Sequence, residues 1–465
     1  MNLTLAQIAV MCGGTLSAAS NPELLVESVV IDSRNIGPGS LFVAIKGEHH
    51  DGHSFVAEIF NHGAACALVS QPLNYPNLIY VHDTIQGLGL LAYNYRKMFN
   101  IPVAAITGSN GKTTVKEMLN SICVKEFGVQ HVLATAGNLN NHIGVPLTLL
   151  KLNQEHKVAI IEMGMNHAGE IDYLSKIVSP TIAVVNNVML AHAGFFNDLS
   201  DIARAKGEIY NGLANNGIAL INQLSPFAQL WQNQLNNNQS QSNELMDNEL
   251  LEHNTRSIHQ VGFGIEGSSC YLKHSGFAGE LLISTRLGDV RCTLKVLGEH
   301  NKLNAITSVA LADKLLCSKE SIIYGLENYT GHKGRLEQKT AFNGAMIIDD
   351  SYNANPDSVK AAILAIKNLP KPHWFIFADL KEQGKFTQAV HEDVASFSMH
   401  NGIDCLITIG ESSKITHDLF NGDKRHFANN QDIVEYCRQN LPKSATLLVK
   451  GSNCMGLGSI VDQLI

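Results

Sequence analysis

One short segment restricts the fold of this chain more than any other, because a β-branched apolar run, a glycine turn and a helical pattern follow each other directly. Residues 101–114 read IPVAAITGSNGKTT, and residues 115–122 continue with helical spacing. Glycines let backbone N–H groups converge on an anion, and the N-terminus of the following helix adds partial positive charge. In such a loop the lysine reaches the outer phosphates and a threonine hydroxyl binds Mg²⁺. The segment predicts a nucleoside triphosphate site formed by Gly108, Ser109, Asn110, Gly111, Lys112, Thr113 and Thr114.

The spacing of this loop differs from the usual phosphate-binding pattern. Two residues separate Gly108 from Gly111, and the usual G-x-x-x-x-G-K pattern is longer at this point. The alternative is an ordinary glycine turn at the start of a helix. We favour the nucleotide site because the strand, the glycines, Lys112 and the paired threonines all agree with it.

Length and composition exclude several other classes of protein. The 465 residues suffice for roughly three domains. A formal net charge of −8 disfavours a nucleic-acid partner. The nine cysteines form no CxxC pair, which suits a reducing cytosol. No apolar run approaches the ~18 residues of a membrane span, and the N-terminus has the pattern of an amphipathic helix and not of a signal peptide. We expect a cytoplasmic, monomeric protein that acts on small molecules.

The order of apolar segments predicts an α/β fold with three domains. Residues 1–98 are expected to form a small N-terminal α/β domain. Residues 99–330 alternate strands with helices, which indicates a central parallel-sheet domain. Residues 331–465 alternate again, which predicts a Rossmann-like domain without the GxGxxG fingerprint. Within the central domain, residues 261–296 are expected to contain a β-hairpin. Residues 229–254, rich in Asn, Gln and Ser, are expected to be a surface insertion without chemistry.

Three polar residues of the central domain are candidates for metal or substrate binding. Glu162 ends the strand VAIIE, where a carboxylate would complete a Mg²⁺ site with a threonine of the loop, unless it is an exposed strand-end acid. His192 follows another buried strand, although a lone loop histidine is more often structural. Lys206 lies in DIARAKGEIY, whose spacing alone favours a surface lysine with a partly buried stem.

Polar residues near the third domain form a second group of candidates. Asn301 follows a turn glycine at a helix start, where its amide would either bind an adenine edge or cap the helix. Arg335 lies at the domain boundary, where it would either reach a phosphate on domain closure or form an interdomain salt bridge. Residues 349–358 read DDSYNANPDS and predict a polar pocket at a strand-to-helix turn.

Together these segments resemble the Mur ligase family of bacterial cell-wall synthesis, and the resemblance extends over nearly the whole chain. The matching segments are DSR at 32–34, GPGSLFVAIKGE at 37–48, TGSNGKTT at 107–114, TAGNLNNHIGVPLTLL at 135–150, IEMGMNHAGEI at 161–171, ARAKGEIY at 203–210 and DDSYNANPDS at 349–358. The last segment is the most specific and is similar to the branch that adds the dipeptide D-alanyl-D-alanine. A sibling that adds a diamino acid usually carries DNPR there.

The resemblance implies an ATP-dependent amide ligase of peptidoglycan precursor synthesis. It would join D-alanyl-D-alanine to UDP-N-acetylmuramoyl-tripeptide through an acyl phosphate. Lys112 would hold the ATP phosphates, and Thr113 or Thr114 with Glu162 would bind Mg²⁺. His192 and Lys206 would serve a second Mg²⁺, with Lys206 carbamylated, which replaces the surface prediction made from spacing alone.

The resemblance also assigns the remaining candidates. Asn301 would contact adenine, Arg335 the phosphates and Asp350 the ribose. The UDP-linked substrate would be bound by Ser33, Arg34, Asn140 and Asn141. The dipeptide site would include Tyr352, Asn353, Asn355, Asp357 and Ser358.

The chain departs from the family pattern at residues 187–189, 378–380 and 453–456, which read NVM, ADL and NCMG. Three alternatives stay open: a sibling ligase with another amino-acid substrate, a nucleotide-binding regulator without catalysis, and a P-loop motor or switch protein. The NANPDS segment argues against the first, and the combination of Lys112, Glu162, His192 and Lys206 argues against the second. The Asn-rich segment of the third domain argues against the third.

Overall fold

Three large sheets, of five, six and six strands among the described residues, are flanked by helices, which confirms the predicted α/β fold with three domains. The structure is a computed structural model that describes residues 1–189, 196, 198–244, 257–276 and 279–465. The exact domain boundaries near residues 98 and 330 stay predictions. None of the helices in the described ranges is both long and apolar enough to cross a bilayer.

The N-terminal sheet has the order β2-β7-β6-β5-β4 in the described residues, with β4 to β7 parallel and β2 antiparallel to β7. The first helix starts where Thr4 and Gln7 form a capping box and ends at Gly13, whose φ of 67° favours glycine. The predicted amphipathic first helix is thus confirmed. The elements are β1 Leu3–Thr4, α1 Leu5–Cys12, β2 Thr15–Leu16, β3 Leu25–Val26, β4 Ser28–Val30, β5 Ser40–Val43, α2 Val56–Asn61, β6 Cys66–Val69, β7 Leu78–Tyr80 and α3 Thr84–Arg96.

The central domain contains a parallel sheet of order β13-β12-β11-β8-β10-β9 and an antiparallel sheet of order β14-β15-β16 among the described residues. Its elements are β8 Val103–Thr107, α4 Lys112–Phe127, β9 Val132–Ala134, α5 Gly144–Leu149, β10 Val158–Glu162, α6 Glu170–Val178, β11 Ile182–Val185, α7 Leu199–Gly207, β12 Gly217–Asn222, α8 Ala228–Glu244, β13 Ile258–Phe263, β14 Tyr271–Ser275, β15 Glu280–Thr285, β16 Gly288–Thr293, α9 Glu299–Lys314 and α10 Lys319–Asn328. The predicted hairpin is confirmed as β15 and β16. Residues 258–263 instead join the parallel sheet.

The central sheet is covered on both faces, as its alternating side chains require. Ala104 and Ile106 of β8 pack with helices α4, α9 and α10. Val103 and Ala105 point to the opposite face, which packs with α5 to α8 and with α3 of the N-terminal domain.

The prediction of a surface insertion at 229–254 is wrong for its first part. Residues 228–244 form helix α8, and Trp231 is fully buried. The Trp231 indole N–H donates to Ala203 O of helix α7 at 2.9 Å. Residues 245–256 lie outside the described residues.

The C-terminal sheet has the order β17-β18-β22-β19-β20-β21 in the described residues, with only the edge strand β17 antiparallel to its neighbour. Helices α11 and α12 cover one face, and α14 and α15 cover the other, which is a doubly wound arrangement. The elements are β17 Glu337–Thr340, β18 Met346–Asp350, α11 Pro356–Ile366, β19 His373–Ala378, α12 Thr387–His400, β20 Cys405–Ile409, α13 Ser413–Leu419, β21 Asp423–Phe427, α14 Asn430–Asn440, β22 Thr446–Lys450 and α15 Gly458–Leu464.

Candidate active site

The glycine loop between β8 and α4 lies at the carboxyl edge of the central sheet. Gly111 precedes the helix with φ of 75°, and a Cβ at this position would lie 2.3 Å from Asn304 Oδ1. A side chain is therefore excluded by both backbone strain and space. The Lys112 ammonium folds back over the loop and donates to Gly108 O at 2.8 Å. This geometry leaves a helix N-terminus and a lysine beside each other, as an anion site requires.

Desolvation lowers the pKa of Lys112, the Glu162 carboxylate raises it, and the Arg335 guanidinium lowers it further. The loop is thus surrounded by cationic groups that an anionic ligand would compensate. The loop also faces a cavity of about 610 Å³ between the central and C-terminal domains. Its lining includes most of the predicted nucleotide residues together with the candidates of the third domain, namely Ser109, Asn110, Gly111, Lys112, Thr113, Thr114, Asn301, Arg335, Asp350, Tyr352, Asn353, Asn355, Asp357 and Ser358.

Arg335 connects the two walls of this cavity. Its Nη2 donates to Thr113 Oγ1 at 3.0 Å, and its guanidinium lies 4.3 Å from the centre of the Tyr352 ring. The alternative of an interdomain salt bridge is not supported, because no acidic partner of Arg335 is found among the described residues. A planar cation held on an aromatic ring beside the phosphate loop suits phosphate binding.

Glu162 is 2% exposed, so the alternative of an exposed strand-end acid is wrong. Its Oε1 accepts a hydrogen bond of 2.8 Å from Asn140 Nδ2, whereas its buried Oε2 has no hydrogen-bond partner. An unpaired buried carboxylate oxygen near a phosphate loop is a natural ligand for a cation. No group of three or more His, Cys, Asp and Glu in the described ranges could hold a metal. Mg²⁺ fits such a site because it keeps several waters and takes one or two carboxylates plus substrate phosphates.

Lys206 is 2% exposed, so the surface position predicted from spacing alone is wrong. Burial lowers its pKa well below the ordinary value, and the charge of Lys112 lowers it further. A buried amine with a lowered pKa is readily neutral, which is the form that reacts with CO₂. His192, the other predicted ligand of a second metal, lies outside the described residues.

Asp350 ends strand β18 and is held by groups of the protein itself. Its Oδ2 accepts from Lys450 Nζ at 2.5 Å, and its Oδ1 accepts from Leu336 N at 3.1 Å. Lys450 is 2% exposed and also donates to Asn353 O at 3.0 Å. Lys450 was not among the predicted site residues, although KGS at residues 450–452, where the buried strand β22 ends, was an available signal.

Asn301 lies in the first turn of α9 and its amide is engaged within the protein. It donates to Leu297 O at 2.7 Å and accepts from Asn304 Nδ2 at 3.0 Å. Asn304 in turn accepts from Asn186 Nδ2 at 2.9 Å. Asn186 and its neighbour Asn187 also hold the backbone of Asn110, and neither was predicted. A polar pair at the carboxyl end of the buried strand IAVV was the available signal.

The predicted dipeptide residues surround the start of helix α11. Asn355 and Ser358 form its capping box, so both side chains also stabilise the helix. The Asn355 amide exchanges hydrogen bonds with the Asn110 amide, at 2.7 and 3.3 Å. The wall that carries Tyr352, Asn353 and Asp357 therefore directly contacts the phosphate loop.

The predicted residues for the UDP-linked substrate lie outside the lining of this cavity. Ser33 and Arg34 belong to a 3₁₀ turn of the N-terminal domain, where Asp32 binds Arg34 at 2.7 and 2.9 Å. Asn141 Oδ1 caps the start of α5 through Gly144 N at 2.9 Å. Asn140 alone of this group contacts the nucleotide side, through Glu162.

A phosphate loop that faces the polar wall of a second α/β domain across one cavity defines a multidomain nucleotide-dependent enzyme. Comparison with protein families gives the particular class. The Mur ligase family, catalytic domain, matches residues 25–106, the Mur ligase middle domain matches 106–312, and the Mur ligase, glutamate ligase domain, matches 334–453. The chain belongs to the Mur ligase family.

Full-length relatives support this assignment. The chain is similar to a UDP-N-acetylmuramoyl-tripeptide--D-alanyl-D-alanine ligase of Haemophilus influenzae, with 34% identity over 100% of this chain and 98% of the relative. The relative of the same name in Escherichia coli is also 34% identical, with the same coverage. A crystal structure of MurF from Acinetobacter baumannii is 31% identical and has a TM-score of 0.89, covering 100% of this chain and 99% of the other.

Proposed function

We propose that this chain is an ATP-dependent ligase that joins D-alanyl-D-alanine to UDP-N-acetylmuramoyl-tripeptide and releases ADP and phosphate. The observation that carries the proposal is the shared cavity, in which Arg335 donates to Thr113 of the phosphate loop across the domain boundary. Relatives named for this reaction are similar to the chain over its whole length. The reaction uses ATP and a nucleotide-linked precursor, so we place it in the cytoplasm.

The chemistry requires charge neutralisation more than a protein nucleophile. The terminal carboxylate of the tripeptide attacks the γ-phosphate of ATP, which gives an acyl phosphate and ADP. The amine of the dipeptide then attacks the acyl carbonyl, phosphate leaves, and the amine loses a proton. Lys112 and Arg335 neutralise the transferring phosphoryl group, because two anions must meet for the first step. Closure of the two domains keeps water from the acyl phosphate.

Mg²⁺ would neutralise the phosphate oxygens and orient them for transfer. We assign Glu162, through its unpaired Oε2, and Thr113 or Thr114 to this ion. The Thr113 hydroxyl also accepts a hydrogen bond from Arg335 across the domain boundary.

We infer that Lys206 reacts with CO₂ to form a carbamate. The neutral amine attacks the carbon of CO₂, a C–N bond forms as one C=O π bond opens, and the nitrogen loses one proton, so a neutral amine becomes an anionic oxygen ligand. With His192 this group would hold a second Mg²⁺. The lowered pKa of Lys206 supports the proposal, because burial and the charge of Lys112 both favour the neutral amine, which is the form that reacts with CO₂.

The other predicted site residues are assigned to parts of ATP and to the two peptide substrates. We assign Asn301 to adenine, Asp350 to the ribose, and Ser33, Arg34, Asn140 and Asn141 to the UDP-linked substrate. The dipeptide is assigned to the wall that contains Tyr352, Asn353, Asn355, Asp357 and Ser358. We also propose 1–98, 99–330 and 331–465 as the domain limits, and a monomer as the working form.

The decisive experiment measures phosphate release by the purified chain with ATP, Mg²⁺, UDP-N-acetylmuramoyl-tripeptide and D-alanyl-D-alanine, with each component omitted in turn. We expect release only with all four, and a product heavier than the tripeptide substrate by one dipeptide. Turnover with another amine but not with the dipeptide would indicate a sibling ligase. Tight ATP binding without turnover would indicate a regulator.

A further inference from the structure

Lys116 is a lysine of helix α4 that none of the roles above uses, although its side chain is completely buried. It lies one turn after Lys112 on the same face of the helix. Its ammonium donates to Thr135 O at 2.7 Å and to Glu117 Oε1 at 2.5 Å. Removing an ammonium from water is costly, and hydrogen bonds must offset that loss. An apolar side chain would fill the same space without this loss.

Thr135 connects Lys116 to groups already placed at the site. Its carbonyl accepts from Lys116, and its own hydroxyl accepts from Glu162 N at 2.9 Å. The carboxylate of Glu162 accepts from Asn140 Nδ2 at 2.8 Å. Thr135 itself is 1% exposed, so solvent does not compete for its bonds with Lys116 and with Glu162 N. A continuous path of hydrogen bonds thus runs from Lys116 through Thr135 and Glu162 to Asn140.

The topology explains why this path matters. Helix α4 leaves β8 at the phosphate loop and crosses β10 to reach β9, and Thr135 directly follows β9. The bond from Lys116 to Thr135 therefore ties the helix that carries the phosphate loop to the far edge of its sheet. A shift of β9 along this helix would move Glu162 and Asn140 relative to Lys112.

We propose that Lys116 is a positioning residue for ligation, whose buried ammonium fixes Thr135 and thereby holds Glu162 and Asn140 in register with the phosphate loop. The inference rests on the proposed function for the identity of the substrates. It assigns Lys116 no contact with any of them, because its side chain is fully covered by protein.

The test compares three single variants. Lys116→Met keeps the length and removes the charge, and Thr135→Val keeps the shape and removes the hydroxyl that accepts from Glu162 N. Lys125→Met is the matched control, because Lys125 lies on the same helix with 37% of its side chain exposed and a contact of 4.0 Å to Glu320. Calorimetry with MgADP and with UDP-N-acetylmuramoyl-tripeptide measures binding without turnover. Thermal unfolding measures the fold, and steady-state ligation measures KM and kcat.

In Lys116→Met and Thr135→Val, we expect the Mg²⁺ concentration at half-maximal rate and the Kd of MgADP to rise about tenfold, because each loses a group that orients a metal ligand. The KM of D-alanyl-D-alanine should stay within about twofold in both variants, as it contacts the other domain. In the double variant Lys116→Met/Thr135→Val, the loss of MgADP affinity should equal that of the more impaired single variant. It should not reach the product of the two single losses. Lys125→Met should behave as wild type.

If Lys116→Met folds and its affinities for Mg²⁺ and MgADP are unchanged, the inference is overturned. It is also overturned if the affinities for Mg²⁺, MgADP and both peptide substrates fall equally, in proportion to the unfolded fraction. If Lys116→Met does not fold, Lys116→Gln, whose shorter neutral side chain loses the ammonium bond to Thr135 O but keeps polar atoms in the buried site, decides by the same two measurements. A wild-type chain that binds MgADP but does not ligate would refute the proposed function. The binding comparison would still decide the role of Lys116.

Discussion

The amide of Asn355 at the start of α11 donates to Asn110 Oδ1 in the phosphate loop at 2.7 Å, and the two residues are 245 positions apart in the chain. The third domain is therefore in direct contact with the loop that we assign to ATP. Because Asn355 also caps α11, its two roles must be separated by the choice of variant.

Asn355→Asp separates these roles. A carboxylate caps a helix as well as an amide does, so we expect the free energy of unfolding to change by less than about 0.5 kcal/mol. The variant loses the donor to Asn110 and adds a negative charge beside the phosphates, so the KM of ATP should rise. Asn355→Ala should in addition lose about 0.5–2 kcal/mol of stability with the cap. Denaturant unfolding and ATP titration of both variants check this, and an unchanged KM in both would contradict it.

Arg335 should not tolerate replacement by lysine. The guanidinium stacks on Tyr352 and donates to Thr113, and a lysine cannot reproduce this planar geometry. We expect kcat of Arg335→Lys to fall by roughly 10²–10³, because one preorganised donor to the transferring group is lost. Arg425→Lys, at an exposed arginine of the third domain, is the control. Pre-steady-state phosphate release measures the effect, and a kcat near wild type would exclude a role in phosphoryl transfer.

The Lys206 carbamate predicts a dependence of activity on CO₂. Assays in CO₂-depleted buffer should lose most ligation activity, and added bicarbonate should restore it. Lys206→Ala should be inactive in both conditions, because it has no amine to react. Wild-type activity that is indifferent to bicarbonate, together with an active Lys206→Ala, would remove the hypothesis.

The lowered pKa of Lys206 also predicts how stability depends on pH in CO₂-free buffer. Between the folded pKa and the ordinary value of 10.5, the unfolded chain holds a proton on Lys206 that the folded chain lacks. The free energy of unfolding therefore rises with pH through this window. Lys206→Met should be more stable than wild type at pH 7, and this advantage should shrink as pH approaches the ordinary pKa. Urea unfolding at a series of pH values tests the sign.

The phosphate loop could be predicted from the sequence because its signals are local, namely a strand, two glycines and the start of a helix. The burial of Lys206 could not be predicted from helical spacing, because the covering surface comes from other parts of the fold. The contact between Asp350 and Lys450 could not be predicted either. The two residues are 100 positions apart and are brought together by the pairing of β18 with β22.

The prediction of a surface insertion failed at helix α8 for a different reason. Its composition is dominated by Asn, Gln and Ser, which are typical of solvated segments. Trp231 and Leu235 are nevertheless spaced by four residues, lie on one face and are buried. The average composition of the segment does not reveal this short apolar stripe, although the stripe is the part of the helix that packs against the core.

Trp231 should therefore contribute strongly to stability and indirectly to the site. Its ring lies against helix α7, where a Cβ on Gly207 would be 2.8 Å from Trp231 Cδ1, and its indole donates to Ala203 O. Trp231→Ala should lose about 3–5 kcal/mol of unfolding free energy, because it leaves a large cavity. Helix α7 also carries Lys206, so the CO₂ dependence of any remaining activity should weaken as well. Gln229→Ala, at an exposed position of the same helix, should change stability by less than about 0.5 kcal/mol. Equal stability of the two variants would mean that α8 is the dispensable surface insertion that its composition suggests.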